Sequence, residues 1–346
     1  MLLSRIGFNS RVAQAATPLP CTDSDALMRV VEVGRATCKV HDGTAIHDSR
    51  MLPAMERETP IAAGDWVIAT RDPHGALWLA ARIPPYTELA RITPSGHRQP
   101  LVANVDFALL VMGLDGNFNL RRLERFIALV KSSGVTPVVV LTKTDLCVDL
   151  ESRMDELAER MPGDLERYAV KATDASSLAC LSHHLQSGST GVLLGSSGAG
   201  KSTLTNTLLG EPTQQTGSVR AADSQGRHTT TARHLHLLPG GACLIDTPGL
   251  RGLRLDLDEA GLDEAFADIA ALAAQCRFRD CRHEQEPGCA VRAAVAADRL
   301  ANYHKLRREI ARETATPLER ERTRGRAKSL ERGLRAVLKR KRDPHD

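Results

Sequence analysis

Eight consecutive residues limit what this chain can fold into more than any other stretch: Gly195-Ser196-Ser197-Gly198-Ala199-Gly200-Lys201-Ser202. They fit G-x-x-x-x-G-K-[ST], a loop that wraps phosphate oxygens in backbone N–H groups. The flanks agree. Thr190–Leu194 reads as a short buried strand, and Ser202–Leu209 as a helix start with Leu204 and Leu208 on one face. Glycines let the N–H groups turn inward, and the helix N-terminus adds a positive dipole end. In such a loop Lys201 neutralises the β- and γ-oxygens, the Ser202 hydroxyl ligates Mg²⁺, and Thr203 continues the contact run.

The 346 residues leave room for two or three domains. After an extension over 1–25, the segment 26–84 reads as short strands: Leu27–Val33, Ala36–Val40, Thr44–His47, Asp65–Thr70 and Ala76–Ile83. Turn signals separate them, and a small β-barrel of the OB type is expected, a fold that often binds RNA. Pro84-Pro85 and Pro94–Pro100 read as a linker. An α/β domain over 85–253 follows. Its strands are Val102–Met112, Thr136–Leu141, Arg167–Val170 and the strand before the phosphate loop. Its helices are Leu120–Ser132, Leu150–Arg160 and Ser176–Leu185, and a hairpin pairs His234–Leu238 with Gly241–Ile245. Buried strands alternating with helices argue a doubly wound, largely parallel sheet. The segment 254–315 reads as helical, with helices over Leu257–Gln275 and Asp298–Glu313, and 316–346 as a basic tail.

Charge is placed unevenly. Lys305–Arg342 is dense in Lys and Arg, an electrostatic footprint for nucleic acid or another polyanion. Aromatic residues make up only 3%, so RNA contacts should rest on phosphates rather than base stacking. The longest apolar run, Phe107–Leu114, is far too short for a membrane span. Met1–Thr22 lacks acids and carries two arginines, a faint trait of a transit peptide, without the apolar core of a secretory signal. Cys21, Cys38, Cys147, Cys180 and Cys243 are scattered and read as small buried apolar residues of a reducing compartment.

Cys276-x4-Cys281-x-His283-x5-Cys289 is different. Three thiolates and one imidazole fill a tetrahedral zinc site and leave no open position, which makes such a site structural. Arg277, Arg279, Arg282 and Arg292 surround it, facing RNA phosphates or pairing with Glu284 and Glu286.

Two further sequences bear on the nucleotide. Asp246-Thr247-Pro248-Gly249 ends an apolar strand downstream of the phosphate loop. Asp246 there can hold Mg²⁺ through water, and the Gly249 N–H can sense a γ-phosphate. Thr142-Lys143-Thr144-Asp145 resembles the guanine-reading Asn-Lys-x-Asp of GTPases. The Asp145 carboxylate can accept from guanine N1–H and the N2 amine together, a donor pair adenine lacks, and the Lys143 stem can cover the base. Thr142 replaces the usual Asn, removing an amide that braces base and phosphate loop. Lys171-Ala172-Thr173 resembles the second base-contacting loop, in which the Ala172 N–H can donate to guanine O6. The order is unusual. The readers precede the phosphate loop and Asp246–Gly249 comes last, a circular permutation that runs the γ-phosphate-sensing segment straight into the C-terminal domain.

With Gln99–Asp106 at the domain entry and Gly226-Arg227-His228-Thr229-Thr230-Thr231 before Asp246, the chain resembles the circularly permuted, small-ribosomal-subunit-dependent GTPases, the RsgA/YjeQ family. The resemblance implies an OB barrel, a permuted GTPase domain and a zinc domain with one Zn²⁺ per chain. It implies Mg²⁺ with GTP, binding to the small ribosomal subunit and its rRNA, and GTP hydrolysis stimulated by that subunit during its late maturation. A cytoplasmic monomer with no membrane association is expected. Gly226–Thr231 looks like the first switch, with Thr229 or Thr230 reaching Mg²⁺ and the γ-phosphate. The position after Asp-x-x-Gly, often a water-orienting Gln, is Leu250, so intrinsic hydrolysis should be slow and His228 is the internal candidate to position water. The rival readings are a P-loop ATP-dependent enzyme, against which Asp145 argues, and an RNA-binding nucleotide switch with negligible turnover.

Overall fold

In the computed structural model, the structure describes residues 2–19, 25–34, 37–51, 55, 60–93, 96–161, 163–210, 233–247 and 254–314. Five strands form the N-terminal barrel: β1 (Asp25–Val33), β2 (Thr37–His41), β3 (Ile46–Met51), β4 (Trp66–Arg71) and β5 (Leu77–Arg82). Strand β1 pairs with both β2 and β4, β3 runs parallel to β5, and β4–β5 closes the ring. This is the OB-like barrel expected from the turn spacing. Its inward positions, Val30, Val40, Val67 and Leu79, are fully buried.

The N-terminal extension packs on the outside of the barrel. A 3-10 turn (Leu2–Ile6) leads to α1 (Ser10–Ala16), whose first turn is capped by the Asn9 side chain on the Val12 N–H. Ile6 and Val12 bury against Trp66 and Ile83, and Phe8 meets the Trp66 ring edge-on at 5.4 Å.

Arg29 of β1 pins four other segments to its strand. Its fully buried guanidinium donates to the carbonyls of Ile6 (2.5 Å), Gly64 (3.3 Å) and Asn104 (3.0 Å) and to the Thr190 hydroxyl (2.9 Å). A buried cation is tolerable here because its N–H groups are met by three carbonyls and a hydroxyl.

The stretch expected to be a linker is a hairpin, β6 (Glu88–Ile92) with β7 (Arg98–Ala103). The single strand expected over Val102–Met112 is broken between β7 and β8 (Phe107–Gly113). The break falls at Asn104, which takes a left-handed conformation with φ 55°. Its side chain compensates, accepting from the Tyr86 N–H and donating to the Gly64 carbonyl. Two residues on, Asp106 accepts from the Thr190 N–H at 2.8 Å, which fixes the entry to the next sheet.

That sheet continues with β9 (Thr136–Thr142), β10 (Glu166–Ala169), β11 (Thr190–Gly195), β12 (His234–Leu237) and β13 (Cys243–Asp246). The spatial order is β10-β9-β8-β11-β13-β12, parallel throughout except for β12. Helices α2 (Leu120–Ser132) and α3 (Leu150–Arg160) make the crossovers, and α4 (Lys201–Leu209) follows the phosphate loop. The helix expected over Ser176–Leu185 is a 3-10 turn, Ser176–Leu181. Strand β12 also pairs with β1, at His234 and Glu32, joining barrel and sheet.

Past β14 (Arg254–Leu255), which adds to β6, the chain is helical: α5 (Glu259–Ala265), α6 (Ala267–Ala273), α7 (Ala290–Ala294) and α8 (Ala297–Thr314). The single helix expected over Leu257–Gln275 is split at Phe266, whose backbone leaves the helical region while its ring is fully buried. These helices are held to α2 by charge as well as by apolar packing. The Glu124 carboxylate on α2 is fully buried and takes Arg160 at 2.7 Å, Arg299 at 2.7 Å and the Asn302 amide at 2.5 Å. Arg299 also reaches Asp268 at 2.6 Å.

Candidate functional site

The phosphate loop lies between β11 and α4, at the carboxyl ends of the parallel strands, where such sheets bind ligands. Two of its glycines are obligatory. A Cβ on Gly195 would stand 2.3 Å from the Val111 carbonyl of the adjoining strand. Gly200 is left-handed, at φ 95°, and opens α4. Lys201 is buried and folded back over the loop, with Nζ donating to the carbonyls of Gly195 and Ser196 at 3.0 Å each. Burial pushes its ammonium below the usual lysine value, and the nearby Asp246 carboxylate partly restores it. A cation held on carbonyl dipoles in a polar cradle is the arrangement that a phosphate would complete. Ser196 and Ala199 are buried, whereas Ser197 and Gly198 face solvent, and Ser202 and Thr203 are half-buried at the start of α4.

Of the two loops expected to read the base, one is bonded to this cradle and the other to α4. Thr142, the last residue of β9, is fully buried, and its hydroxyl donates to the Ala199 carbonyl at 2.6 Å. The expectation that losing the usual Asn removes the brace on the phosphate loop is therefore corrected: the threonine hydroxyl supplies one. Lys143 is left-handed at φ 62°, and its ammonium is drawn to Asp115 at 2.5 Å. Burial pushes the Asp115 carboxyl up, but Lys143 and the Asn117 N–H outweigh it and hold it below its usual value. Thr144 and Asp145 begin a 3-10 turn, Thr144–Leu146, and Asp145 is exposed. Ala172 is buried, and its carbonyl accepts from Thr207 of α4 at 2.7 Å.

Asp246 ends β13 beside β11, and Thr247 donates to the Leu193 carbonyl at 2.5 Å. Gly249, Leu250 and the switch residues His228, Thr229 and Thr230 lie outside the described residues. Sequence reasoning missed Asp115 and Asn117. They sit in the loop after β8, and the Asn117 amide comes within 3.9 Å of where a Cβ on Gly198 would stand. Asp-Gly-Asn following an apolar strand was the available signal, and by itself it reads only as a turn.

The cysteine cluster is assembled around α7. Its four ligand atoms all lie within 4.8 Å of one another. Cys276 Sγ is 3.9 Å from Cys289 Sγ and 3.6 Å from His283 Nδ1, and His283 Nδ1 is 3.4 Å from Cys289 Sγ. A tetrahedral zinc with ordinary bond lengths needs about 3.8 Å between sulfurs and about 3.6 Å from sulfur to nitrogen. The residues present fit that ion. His283 holds a left-handed backbone at φ 62°, and the Arg292 N–H points at Cys289 Sγ from 3.4 Å. Outside the cluster, Arg277, Arg279, Arg282 and Arg292 are exposed. The Glu286 carboxyl is held down to about 2 by backbone N–H groups of its own turn, those of Arg282, Glu284 and Gln285 included. Among the described residues none of the four guanidinium groups forms an ion pair.

A parallel sheet whose base-reading loops precede its phosphate loop in the chain, flanked by an OB-like barrel and a Cys/His-bearing helical segment, defines a circularly permuted GTPase. A family model described as RsgA GTPase matches residues 83–256. A small ribosomal subunit biogenesis GTPase RsgA from Xylella fastidiosa is 51% identical over 268 residues, 75% of this chain and 78% of its own. One from Xanthomonas oryzae is 48% identical over 267 residues, 75% of this chain and 71% of its own. Among solved structures, YjeQ from Thermotoga maritima superposes with a TM-score of 0.61 at 24% identity, covering 83% of this chain and 99% of its own. YloQ, described as a circularly permuted GTPase, gives 0.59 at 24%, covering 86% and 100%. The chain belongs to the RsgA GTPase family. No helix among the described residues is long and apolar enough to cross a membrane.

Proposed function

We propose that this protein is a GTPase that binds the small ribosomal subunit and assists its late maturation, hydrolysing GTP to GDP and phosphate when the subunit stimulates it. The observation that carries the nucleotide half is the pair of hydrogen bonds that tie one reader loop to the phosphate loop, Thr142 to Ala199, and the other to the helix that follows it, Thr207 to Ala172. They make base recognition and phosphate binding one rigid unit. Asp145 reads the N1–H and N2 edge of guanine, and Lys201 neutralises the β- and γ-oxygens. Mg²⁺ bound by Ser202, with Asp246 behind it, would offset the charge developing on the phosphates. Thr229 or Thr230 and the Gly249 N–H close on the γ-phosphate, and His228 positions the attacking water in the place that Leu250 cannot fill.

The ribosomal half rests on the names of the relatives and on charge. Four exposed arginines surround a cluster that one Zn²⁺ would rigidify, and the barrel offers a second surface for rRNA. We infer a cytoplasmic protein acting as a monomer, with GTP favouring the subunit-bound form and hydrolysis favouring release. The test is phosphate release from the purified protein, with GTP or ATP, with and without small subunits. Slow GTP turnover, strongly accelerated by subunits and absent with ATP, is expected. Turnover indifferent to subunits would remove the ribosomal role, and turnover of ATP would overturn the role given to Asp145. Full subunit-stimulated turnover in His228→Ala would remove the role given to His228.

A further inference from the structure

A second group of ligand-type side chains lies away from both the nucleotide loops and the cysteine cluster. Glu166 opens β10, the edge strand of the sheet, at the end opposite to the reader loop. His183 and His184 follow the 3-10 turn Ser176–Leu181. Both imidazoles turn their Nε2 atoms onto the same carboxylate oxygen, Glu166 Oε2, at 2.9 and 3.2 Å. The Tyr168 hydroxyl reaches that oxygen too, at 2.6 Å. One ligand atom from each of Glu166, His183 and His184 falls within a 4.8 Å cluster.

We propose that Glu166, His183 and His184 form a second metal site, which takes a borderline divalent transition ion such as zinc. Three observations carry it. The first is spacing. Ions of this class bind imidazole nitrogen and carboxylate oxygen at about 2.0–2.2 Å, which sets neighbouring ligand atoms about 2.9 Å apart in octahedral and about 3.4 Å apart in tetrahedral geometry. The two separations from Oε2 fall in that range.

The second is the outer partner of His183. Its Nδ1 lies 3.2 Å from the Cys180 carbonyl, the hydrogen bond that fixes a metal-binding imidazole with its Nε2 lone pair outward. In a neutral ring so oriented, that lone pair faces the Glu166 carboxylate at 2.9 Å. Two lone pairs at that distance need a positive charge between them, either a proton on Nε2 or a metal ion held by the three ligands, and an ion count separates the two.

The third is support. The His184 side chain is only 11% exposed, and its ring packs on Phe107 of β8 with centroids 5.4 Å apart. The site thus has a fixed wall, and a bound ion would staple the edge strand to the turn that follows it. Imidazole ligands exclude Mg²⁺ and Ca²⁺, which prefer all-oxygen shells.

The test counts zinc on the full-length protein by equilibrium dialysis after chelator stripping, in the wild type, in His183→Ala/His184→Ala and in Glu166→Gln. About two ions per wild-type chain and about one in the double variant are expected, with Glu166→Gln weakening the second ion at least about tenfold. Cobalt separates the sites. The first ion should give the strong near-ultraviolet absorption of thiolate ligation, and the second only the weak visible bands of nitrogen and oxygen ligands. Circular dichroism and nucleotide binding verify folding, and the single Glu166→Gln substitution, at a half-exposed side chain, covers the case in which the double variant fails to fold. One zinc per wild-type chain, or two retained in Glu166→Gln with unchanged affinity, would overturn the proposal and leave a surface His–Glu ion pair.

Discussion

The hydroxyl of Thr142 donates to the Ala199 carbonyl at 2.6 Å, so the end of the base-reading strand and the middle of the phosphate loop are hydrogen-bonded to each other. Both residues are fully buried. Removing the donor leaves a carbonyl without water or a partner, which costs about 1–2 kcal/mol. Thr142→Val is nearly isosteric and should weaken GDP binding about five- to twentyfold, whereas Thr142→Ser should stay near wild type. Titration with a fluorescent guanine nucleotide checks this. Equal affinities in the two variants would mean that the bond does not transmit to the nucleotide.

The role proposed for Asp145 makes the reading of guanine a question of donor and acceptor. Its exposed carboxylate is positioned by the 3-10 turn Thr144–Leu146. Asp145→Asn replaces an acceptor pair with one acceptor and one amine donor. GTP binding should fall by about a hundredfold or more, and xanthosine triphosphate, which carries a carbonyl at position 2, should gain. Competition binding with the two nucleotides decides it. Unchanged GTP affinity would move base recognition away from this loop.

Glu124 bears two buried or nearly buried arginines, one from α3 and one from α8. Glu124→Gln leaves them with excess positive charge in a low-dielectric site, and breaking such a pair costs about 3–5 kcal/mol. Urea unfolding should show a lower midpoint, with the C-terminal helices loosened first in hydrogen exchange. Stability within about 0.5 kcal/mol of wild type would mean that solvent already screens the node.

Chelation of zinc should act on the same C-terminal segment. The turn between Cys276 and Cys289 has few apolar residues of its own, and four ligands pulled to one ion would replace a core there. Removing the metal, or Cys281→Ser, should expose α7 to proteolysis while leaving nucleotide binding in place. Loss of GTP affinity on chelation would show that the metal also supports the GTPase sheet.

His236 of β12 is pushed down to about 4 by burial, and secondarily by His234. The unfolded chain, with an ordinary imidazole, binds the proton at higher pH than the folded one. Stability from this group is therefore fully present above about pH 6.5 and lost as the pH falls through 4. The ring is partly solvated, which reduces the effect to about 1 kcal/mol at pH 5. His236→Gln should flatten the dependence of the urea midpoint on pH between 4 and 6.5. An unchanged slope would assign acid sensitivity elsewhere.

The order of chemistry along the chain was legible without coordinates. A glycine-lysine loop after an apolar strand, Thr142–Asp145 before it and the Cys/His spacing after it are local patterns, because each works through backbone conformation or ligand type at short range. The barrel, too, was readable from turn spacing. What residues 88–106 do was not. A proline-rich stretch became a hairpin, and one apolar run became two strands, because Asn104 accepts a left-handed backbone once Tyr86 and Gly64 satisfy its amide. The same holds for the partners of the site. Thr142 meets Ala199, Asp115 meets Lys143 and Glu124 meets Arg299 across 57, 28 and 175 residues of chain. A local pattern carries no information about which distant atom completes a buried hydrogen bond, so those pairings were decided only when the sheet and its helices closed around them.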